Sequence, residues 1–128
     1  MSKIEKNPEK MSIWRDKEGI VNVRMIRSLN PENIKNLIEQ AREFAKTLSE
    51  KPKVIVDITS GLDPLSSQFR KEIAVYVKEL VENPGFKKVA IFGRIVARTI
   101  GSFIIAASGE KNIKMFKNKE EALKWLKK

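Results

Sequence analysis

The chain has 128 residues, with 26 Lys and Arg against 16 Asp and Glu and neither Cys nor His, so its formal charge at pH 7 is +10. This length fits one domain that buries a core without disulfides or metal ions. The absence of Cys and His excludes thiol chemistry, Ser-His-Asp triads, imidazole proton transfer and zinc sites built on these ligands. We therefore expect no metal site and no cofactor.

The distribution of apolar residues indicates the compartment. The N-terminus has no apolar segment of the signal-peptide type, and the longest apolar-rich stretch, residues 95–107, is too short to cross a bilayer. We expect a soluble cytoplasmic protein with a flexible N-terminus at residues 1–10 and a single domain at residues 11–128. A composition rich in Lys, Glu and Ile is also typical of heat-adapted proteins.

The domain opens with a predicted hairpin. Residues 11–14 and 20–25 read as strands, and they flank a segment that begins with Asp16 and ends with Gly19, as tight turns do. The two strands are therefore predicted to pair in antiparallel fashion.

Two helices are predicted to begin with a capping residue followed by proline. Asn30-Pro31 starts the first, which carries an apolar stripe and is predicted to end near Lys51-Pro52. Asp63-Pro64 starts the second, which is predicted to end at Asn83-Pro84-Gly85.

Short apolar strands alternate with the helices. Residues 54–56 and 89–92 are apolar enough for strands that are covered on both faces, and residues 113–116 are predicted as the last strand. A third helix is predicted from about residue 95 to residue 108, and Asn118 with Glu121 predicts a capping box at the start of the last helix.

The element order is β-β-α-β-α-β-α-β-α. Right-handed crossovers make the last four strands parallel and leave the first strand antiparallel at one edge. The fold class is α/β, with a single layer of about five mostly parallel strands.

Three segments carry a resemblance to a known family, namely residues 54–57, residues 88–93 and the closing strand and helix at residues 116–126. With these segments in this order, the chain resembles the STAS superfamily and, more narrowly, its SpoIIAA-like branch, from residue 11 onward. The resemblance implies binding of a protein partner, sometimes under control of phosphorylation, or of a small ligand. Phosphorylated relatives carry a serine where the chain enters the helix after the third strand. Ser66 and Ser67 lie near this position and are candidate phosphorylation sites, although no Gly follows them.

The candidate site lies at the carboxyl edge of the sheet, where open α/β sheets bind ligands. The residues predicted to meet there follow the third and fourth strands: Asp57, Thr59, Ser60, Gly93, Arg94 and Arg98. Arg94 and Arg98 share a helix face near its N-terminus, where cations oppose the helix dipole. The positive charges of these arginines would be compensated by a bound anion, by an acidic partner, by an intramolecular pair with Asp57 or Asp63, or by solvent.

The remaining basic residues are predicted at the other edge. Lys51, Lys53, Lys87, Lys88 and Lys111 precede parallel strands and therefore lie apart from Arg94 and Arg98. Because no continuous basic track results and no aromatic residues interleave it, we do not expect nucleic acid as a partner.

The sequence leaves two functions open. The first is a non-catalytic interaction module that binds a protein partner and is regulatory in the manner the resemblance implies. The alternative is a carrier of a small anionic or amphipathic ligand, such as a lipid or a nucleotide, with its head at Gly93, Arg94 and Arg98 and its apolar part along Ile100, Phe103 and Ile104. An enzyme is not expected, because the sequence assembles no nucleophile or acid–base pair. The predicted third helix is apolar nearly all round, so residues 95–107 are also a candidate homodimer contact.

Overall fold

A computed structural model describes residues 11–48, 51–61, 63, 65–80, 86–94, 99, 102, 105–106, 109 and 111–128. The N-terminus predicted to be flexible, residues 1–10, lies outside the described residues. So do the predicted end of the second helix at residues 83–85 and most of the predicted third helix.

Five strands and three helices have defined bounds, and their order agrees with the prediction. They are β1 Ser12–Arg15, β2 Val21–Arg24, α1 Pro31–Lys46, β3 Lys53–Asp57, α2 Ser67–Leu80, β4 Lys88–Phe92, β5 Ile113–Phe116 and α3 Lys119–Lys127. Between β4 and β5, the described residues Thr99, Ser102, Ile105 and Ala106 are helical. Among the described helices, none has the length and hydropathy needed to cross a membrane.

The strands form one sheet in chain order, β1-β2-β3-β4-β5. β1 pairs with β2 in antiparallel fashion, and every later neighbour is parallel. The parallel register places Val54 of β3 between Val21 of β2 and Val89 of β4. The predicted α/β fold with an antiparallel edge strand is therefore confirmed.

The predicted hairpin turn is also found. One carboxylate oxygen of Asp16 accepts hydrogen bonds from the N–H groups of Glu18 and Ile20 at 2.9 and 3.0 Å. Gly19 has φ +83°, a conformation that glycine adopts without steric cost. Asp16 and Gly19 therefore stabilise the turn in the way that their positions in the sequence predict.

Helix α1 begins as predicted and ends earlier. Asn30 and Asn33 form a reciprocal capping box, with Pro31 in the first turn. The helix ends at Lys46 rather than near Lys51-Pro52, because the hydroxyl of Thr47 donates to the Phe44 carbonyl at 2.8 Å and the Thr47 N–H donates to carbonyls of the same last turn. The carbonyls of Phe44 and Ala45 are thereby satisfied without a further turn.

The predicted start of the second helix is wrong. Helix α2 begins at Ser67, and its cap is Ser66, whose Oγ accepts a hydrogen bond from the Phe69 N–H at 3.0 Å. Asp63 does not cap the helix, because its carboxylate accepts hydrogen bonds from side chains that follow β2.

The sheet has a separate core on each face. On one face, strand residues such as Val54 pack with α1 and with the helical residue Ile105. On the other face, strand residues such as Ile55 pack with Ala122 and Leu126 of α3. Side chains alternate between the two faces along each strand, which explains why consecutive central residues of β3 and β4 are apolar.

Candidate functional site at the carboxyl edge

The loops that follow β3 and β4 lie side by side. The Ile58 N–H donates to the Phe92 carbonyl at 3.0 Å, and the Gly93 N–H donates to the Phe116 carbonyl at 3.3 Å. The register pairs Asp57 with Phe92. The two predicted site segments, residues 57–61 and 93–94, therefore share one edge of the sheet, whereas Arg98 lies outside the described residues.

Asp57 holds the first of these loops in shape. Its Oδ1 accepts hydrogen bonds from the Thr59 N–H at 2.8 Å and from the Thr59 hydroxyl at 2.6 Å. Its backbone carbonyl accepts from the Met25 N–H at 2.9 Å. The Asp57 carboxylate and the Thr59 hydroxyl are thus engaged in a local turn motif, a role that Asp commonly has in loops.

Arg24 also belongs to this edge and is not among the residues predicted from the sequence. Its Nε lies 3.9 Å from Oδ2 of Asp57, and its guanidinium carbon lies 5.6 Å from the centre of the Trp14 ring. The parallel register of β2 and β3 pairs Arg24 with Asp57. Aligning the ends of the two predicted strands would have found this neighbour.

Among the described residues at this edge, Ser60 and Arg94 have polar side chains that remain available. Both are exposed, and neither forms a hydrogen bond or an ion pair with another described residue. Ser60 lies in a tight turn that closes through a 2.9 Å hydrogen bond from the Gly61 N–H to the Ile58 carbonyl. The edge therefore presents a hydroxyl on a hydrogen-bonded turn and a cation to solvent.

The two acids considered as intramolecular partners of Arg94 are engaged elsewhere. Asp63 accepts hydrogen bonds from Arg27 Nε at 2.8 Å and from Ser28 Oγ at 2.7 Å. The hydrogen bond from Ser28 and then that from Arg27 lower the pKa of Asp63 below its ordinary value of 3.8. Asp57 lies beside Arg24 instead, so the charge of Arg94 is not compensated by either carboxylate.

The two candidate phosphorylation sites differ in their surroundings. Ser66 is the cap of α2, and Ser67 is the first residue of the helix. The Oγ of Ser67 accepts a hydrogen bond from Arg70 Nη2 at 3.3 Å. Both serines are exposed.

Three of the five lysines predicted at the opposite edge line one groove there. Lys51, Lys53 and Lys87 line a surface groove of about 730 Å³ together with Arg15. Lys88 has a different role, because its Nζ donates to the Trp125 carbonyl at 3.1 Å and lies 4.9 Å from the centre of the Trp125 ring. Basic residues therefore lie in separate groups at the two edges of the sheet, as the order of the strands predicts.

The apolar part of the predicted carrier site falls on the predicted third helix. Ile100, Phe103 and Ile104 lie outside the described residues, and so does most of the candidate homodimer contact at residues 95–107. Both hypotheses remain predictions.

The mixed five-stranded sheet, with one antiparallel edge strand and helices on both faces, defines an α/β domain. A family model described as SpoIIAA-like matches residues 20–127, and the chain belongs to this family. The resemblance noted from the sequence is thereby confirmed. No curated protein sequence matches the chain.

Three solved structures share the fold. An uncharacterised protein with a SpoIIAA-like fold from Shewanella loihica PV-4 is 23% identical, with a TM-score of 0.56 and 91% of each chain covered. RsbS from Moorella thermoacetica, in a serine-to-glutamate variant, is 13% identical with a TM-score of 0.62, over 91% of this chain and 94% of that one. An anti-sigma-factor antagonist (STAS) domain protein from Planctomyces limnophilus is 13% identical with a TM-score of 0.60, over 93% and 99%.

Proposed function

We propose that this protein is a non-catalytic interaction module that binds a protein partner through its carboxyl-edge surface, defined here as residues 57–61 and 93–94. The observation that carries the proposal is the availability of Ser60 and Arg94, which are exposed on adjacent loops and have no partner among the described residues. Groups of this kind form hydrogen bonds and ion pairs with a partner without first breaking internal ones.

The rigidity of the loop supports this role. The carboxylate of Asp57 fixes the turn that carries Ser60, and backbone hydrogen bonds tie both loops to neighbouring strands. A surface that is ordered before binding loses less conformational entropy when the partner docks. The cation at Arg94 favours an acidic segment of the partner.

The comparisons also support binding of a protein partner. The Planctomyces limnophilus protein of the same fold is named an anti-sigma-factor antagonist, which is a role exercised on other proteins. The fold alone does not assign this role to the chain. It makes a protein partner the first ligand class to test.

Regulation by phosphorylation is part of the proposal, and Ser67 is the better placed of the two serines. A phosphate on Ser67 would lie beside Arg70 and at the N-terminus of α2, where both the guanidinium and free N–H groups stabilise negative charge. Ser66 already uses its oxygen to cap the helix. Incubation with kinases from the host, followed by peptide mapping, should modify Ser67, and an unmodified peptide would remove this part of the proposal.

The test of partner binding uses two variants with the same change in charge. Arg94→Glu reverses a charge on the carboxyl-edge surface, and Lys87→Glu reverses one in the groove at the opposite edge. Immobilised wild-type protein and both variants are exposed to host lysate, and the captured proteins are quantified by mass spectrometry. A partner that wild type and Lys87→Glu capture and that Arg94→Glu loses supports the proposal. Equal loss in both variants indicates non-specific electrostatic capture and contradicts it.

A second candidate function is a carrier of a small anionic ligand at the same surface, and the exposed cation of Arg94 favours it. Native mass spectrometry of protein purified from its own host distinguishes the two functions. A retained small molecule that Arg94→Glu loses indicates a carrier, whereas a spectrum of the bare chain indicates the interaction module.

A further inference from the structure

The groove at the opposite edge of the sheet, called the opposite groove below, has the size of a binding site for a small molecule. Its volume is about 730 Å³, within the range of about 300–1,000 Å³ that is typical of ligand sites. Three parts of the chain form its described walls. They are the hairpin turn after β1, the stretch from the end of α1 to the start of β3, and the residue before β4.

Backbone hydrogen bonds hold these walls in place. The Lys87 N–H donates to the Pro52 carbonyl at 2.8 Å, which joins the residues that precede β3 and β4. The Gly19 N–H donates to the Asp16 carbonyl at 3.0 Å and closes the hairpin turn. The fold itself therefore shapes the groove, and less conformational entropy is lost when a molecule binds there.

The positive charges of the groove have no internal partners in the part of the chain that the structure describes. Four cationic residues line it, namely Arg15, Lys51, Lys53 and Lys87. None of their side chains forms an ion pair or a hydrogen bond with another described residue. Lys88 at the same edge differs, because its Nζ donates to the Trp125 carbonyl. The four groove cations are therefore available to a ligand.

The carboxylates beside the groove are engaged with other groups. Glu18 is the acid among the described lining residues, and its Oε1 lies 3.3 Å from Lys127 Nζ. The Asp16 carboxylate accepts three hydrogen bonds within the hairpin, two from backbone N–H groups and one from Asn22 Nδ2. The described residues thus leave the groove with an excess of positive charge.

The end of α1 does not account for these cations, although positive charge is favourable near a helix C-terminus. Thr47 already donates its hydroxyl and its N–H to carbonyls of the last turn. No lysine of the groove donates to those carbonyls among the bonds of the described residues. The helix end therefore relies on Thr47 rather than on the groove lysines.

We propose that the opposite groove binds a small organic molecule that carries two or more phosphate groups. A multiply charged anion interacts with several of the cations at once, and each interaction adds to its affinity. Lys provides a point charge for phosphate, and Arg provides a planar fork for two phosphate oxygens. Ile20, Leu48 and Pro52 form an apolar part of the wall, which the organic part of the ligand would cover. This site does not depend on the partner-binding proposal, because it lies at the other edge of the sheet.

The test is a titration with sodium tripolyphosphate, observed by NMR of backbone amides. The ionic strength is held at about 0.15 M, where exposed charges more than about 8 Å apart are largely screened. We expect saturable shifts at the amides of Gly19, Lys53 and Lys87. The amides of Ser60 and Arg94 at the carboxyl edge should change little. The absence of saturable shifts, or equal shifts at both edges, would overturn the proposal.

Two further probes define the class of ligand. Inorganic phosphate should bind at least about ten-fold more weakly than tripolyphosphate, because it carries fewer charges. A hexaglutamate peptide should also bind more weakly, because its charges lie on a flexible chain that loses conformational entropy on binding. Equal or tighter binding of the peptide would show that the groove recognises an acidic protein segment. Equal binding of inorganic phosphate would show that it recognises a single phosphate, and either result contradicts the proposal.

Substitutions that change one charge provide the second part of the test. Lys53→Gln and Arg15→Gln should each weaken tripolyphosphate binding by about two- to five-fold. Glu18→Gln should strengthen it, because it removes a negative charge from the wall. Lys71→Gln, at an exposed position of α2, is the matched control with the same change in net charge and should leave binding unchanged.

Two results from these variants would contradict the site. Equal weakening in Lys71→Gln and Lys53→Gln would mean that the probe responds only to net charge. Unaltered binding in both groove variants would mean that it binds elsewhere. Arg15 is exposed, so Arg15→Gln keeps the measurement possible should Lys53→Gln not fold.

Discussion

Gly93 packs directly against Ile58, and this contact joins the two loops of the carboxyl edge. A Cβ atom added at Gly93 would overlap Cγ1 of Ile58 and lie 3.1 Å from the Ile58 carbonyl oxygen. Gly93 is therefore needed for the close approach of the loop after β4 to the loop after β3. This explains its residue type without assigning it to ligand binding.

Replacement of this glycine should destabilise the fold through steric overlap. We expect Gly93→Ala to lower the free energy of unfolding by about 1–3 kcal/mol, as for other substitutions that overpack a core. Urea unfolding followed by circular dichroism measures the loss. In a double-mutant cycle, Ile58→Ala should relieve part of the overlap, so that the combined loss is smaller than the sum by at least about 0.5 kcal/mol. Strict additivity would show that the two residues do not interact.

Asp63 should make stability depend on pH in the acid range. Its pKa is lower in the folded protein than in the unfolded chain, so its stabilisation is present above the ordinary value of 3.8 and is lost as the pH falls through the lower folded value. Asp63→Asn should have a lower urea midpoint than wild type at neutral pH, and the difference should disappear well below pH 3.8. Glu43→Gln, at an exposed pair with Lys46, is the control and should change little. A difference for Asp63→Asn that persists unchanged into acid would contradict this account.

Ser66 and Ser67 should differ in their effect on stability. Ser66→Ala removes the cap of α2 and should cost about 1 kcal/mol. Ser67→Ala removes no capping bond and should stay within about 0.5 kcal/mol of wild type. Chemical unfolding of both variants measures the difference. Equal effects would mean that the helix does not depend on the Ser66 cap.

Lys88 should contribute to stability through Trp125. Lys88→Met keeps the apolar part of the side chain but removes the hydrogen bond to the Trp125 carbonyl and the charge 4.9 Å from the ring centre. We expect a loss of about 1–2 kcal/mol. Lys114 lies 5.9 Å from the same ring and is exposed, so Lys114→Met should cost less than about 0.5 kcal/mol. A larger loss for Lys114→Met would show that the hydrogen bond is not the important contact.

Local signals in the sequence predict most of the fold. Asp16 and Gly19 identify the hairpin turn because both act within a few residues of themselves. Asn30 and Asn118 identify two helix starts for the same reason, since each accepts a hydrogen bond from an N–H three residues later. Apolar strands separated by helices then predict the parallel sheet and its shared carboxyl edge.

The sequence-based predictions are wrong or incomplete where a side chain interacts with a residue that is distant in sequence. Asp63 has the sequence context of a cap, but Arg27 and Ser28 reach its carboxylate from the loop after β2. Arg24 was missed because its relation to Asp57 depends on the register of two strands that are far apart in sequence.

Hydrogen–deuterium exchange of the complex with the captured partner shows whether the partner docks on the carboxyl-edge surface. We expect slower exchange at residues 57–61 and 93–94 on binding, with no change at residues 51–53 or 87, which border the opposite groove. Slower exchange confined to the opposite groove, with unchanged exchange at residues 57–61 and 93–94, would contradict the proposed function.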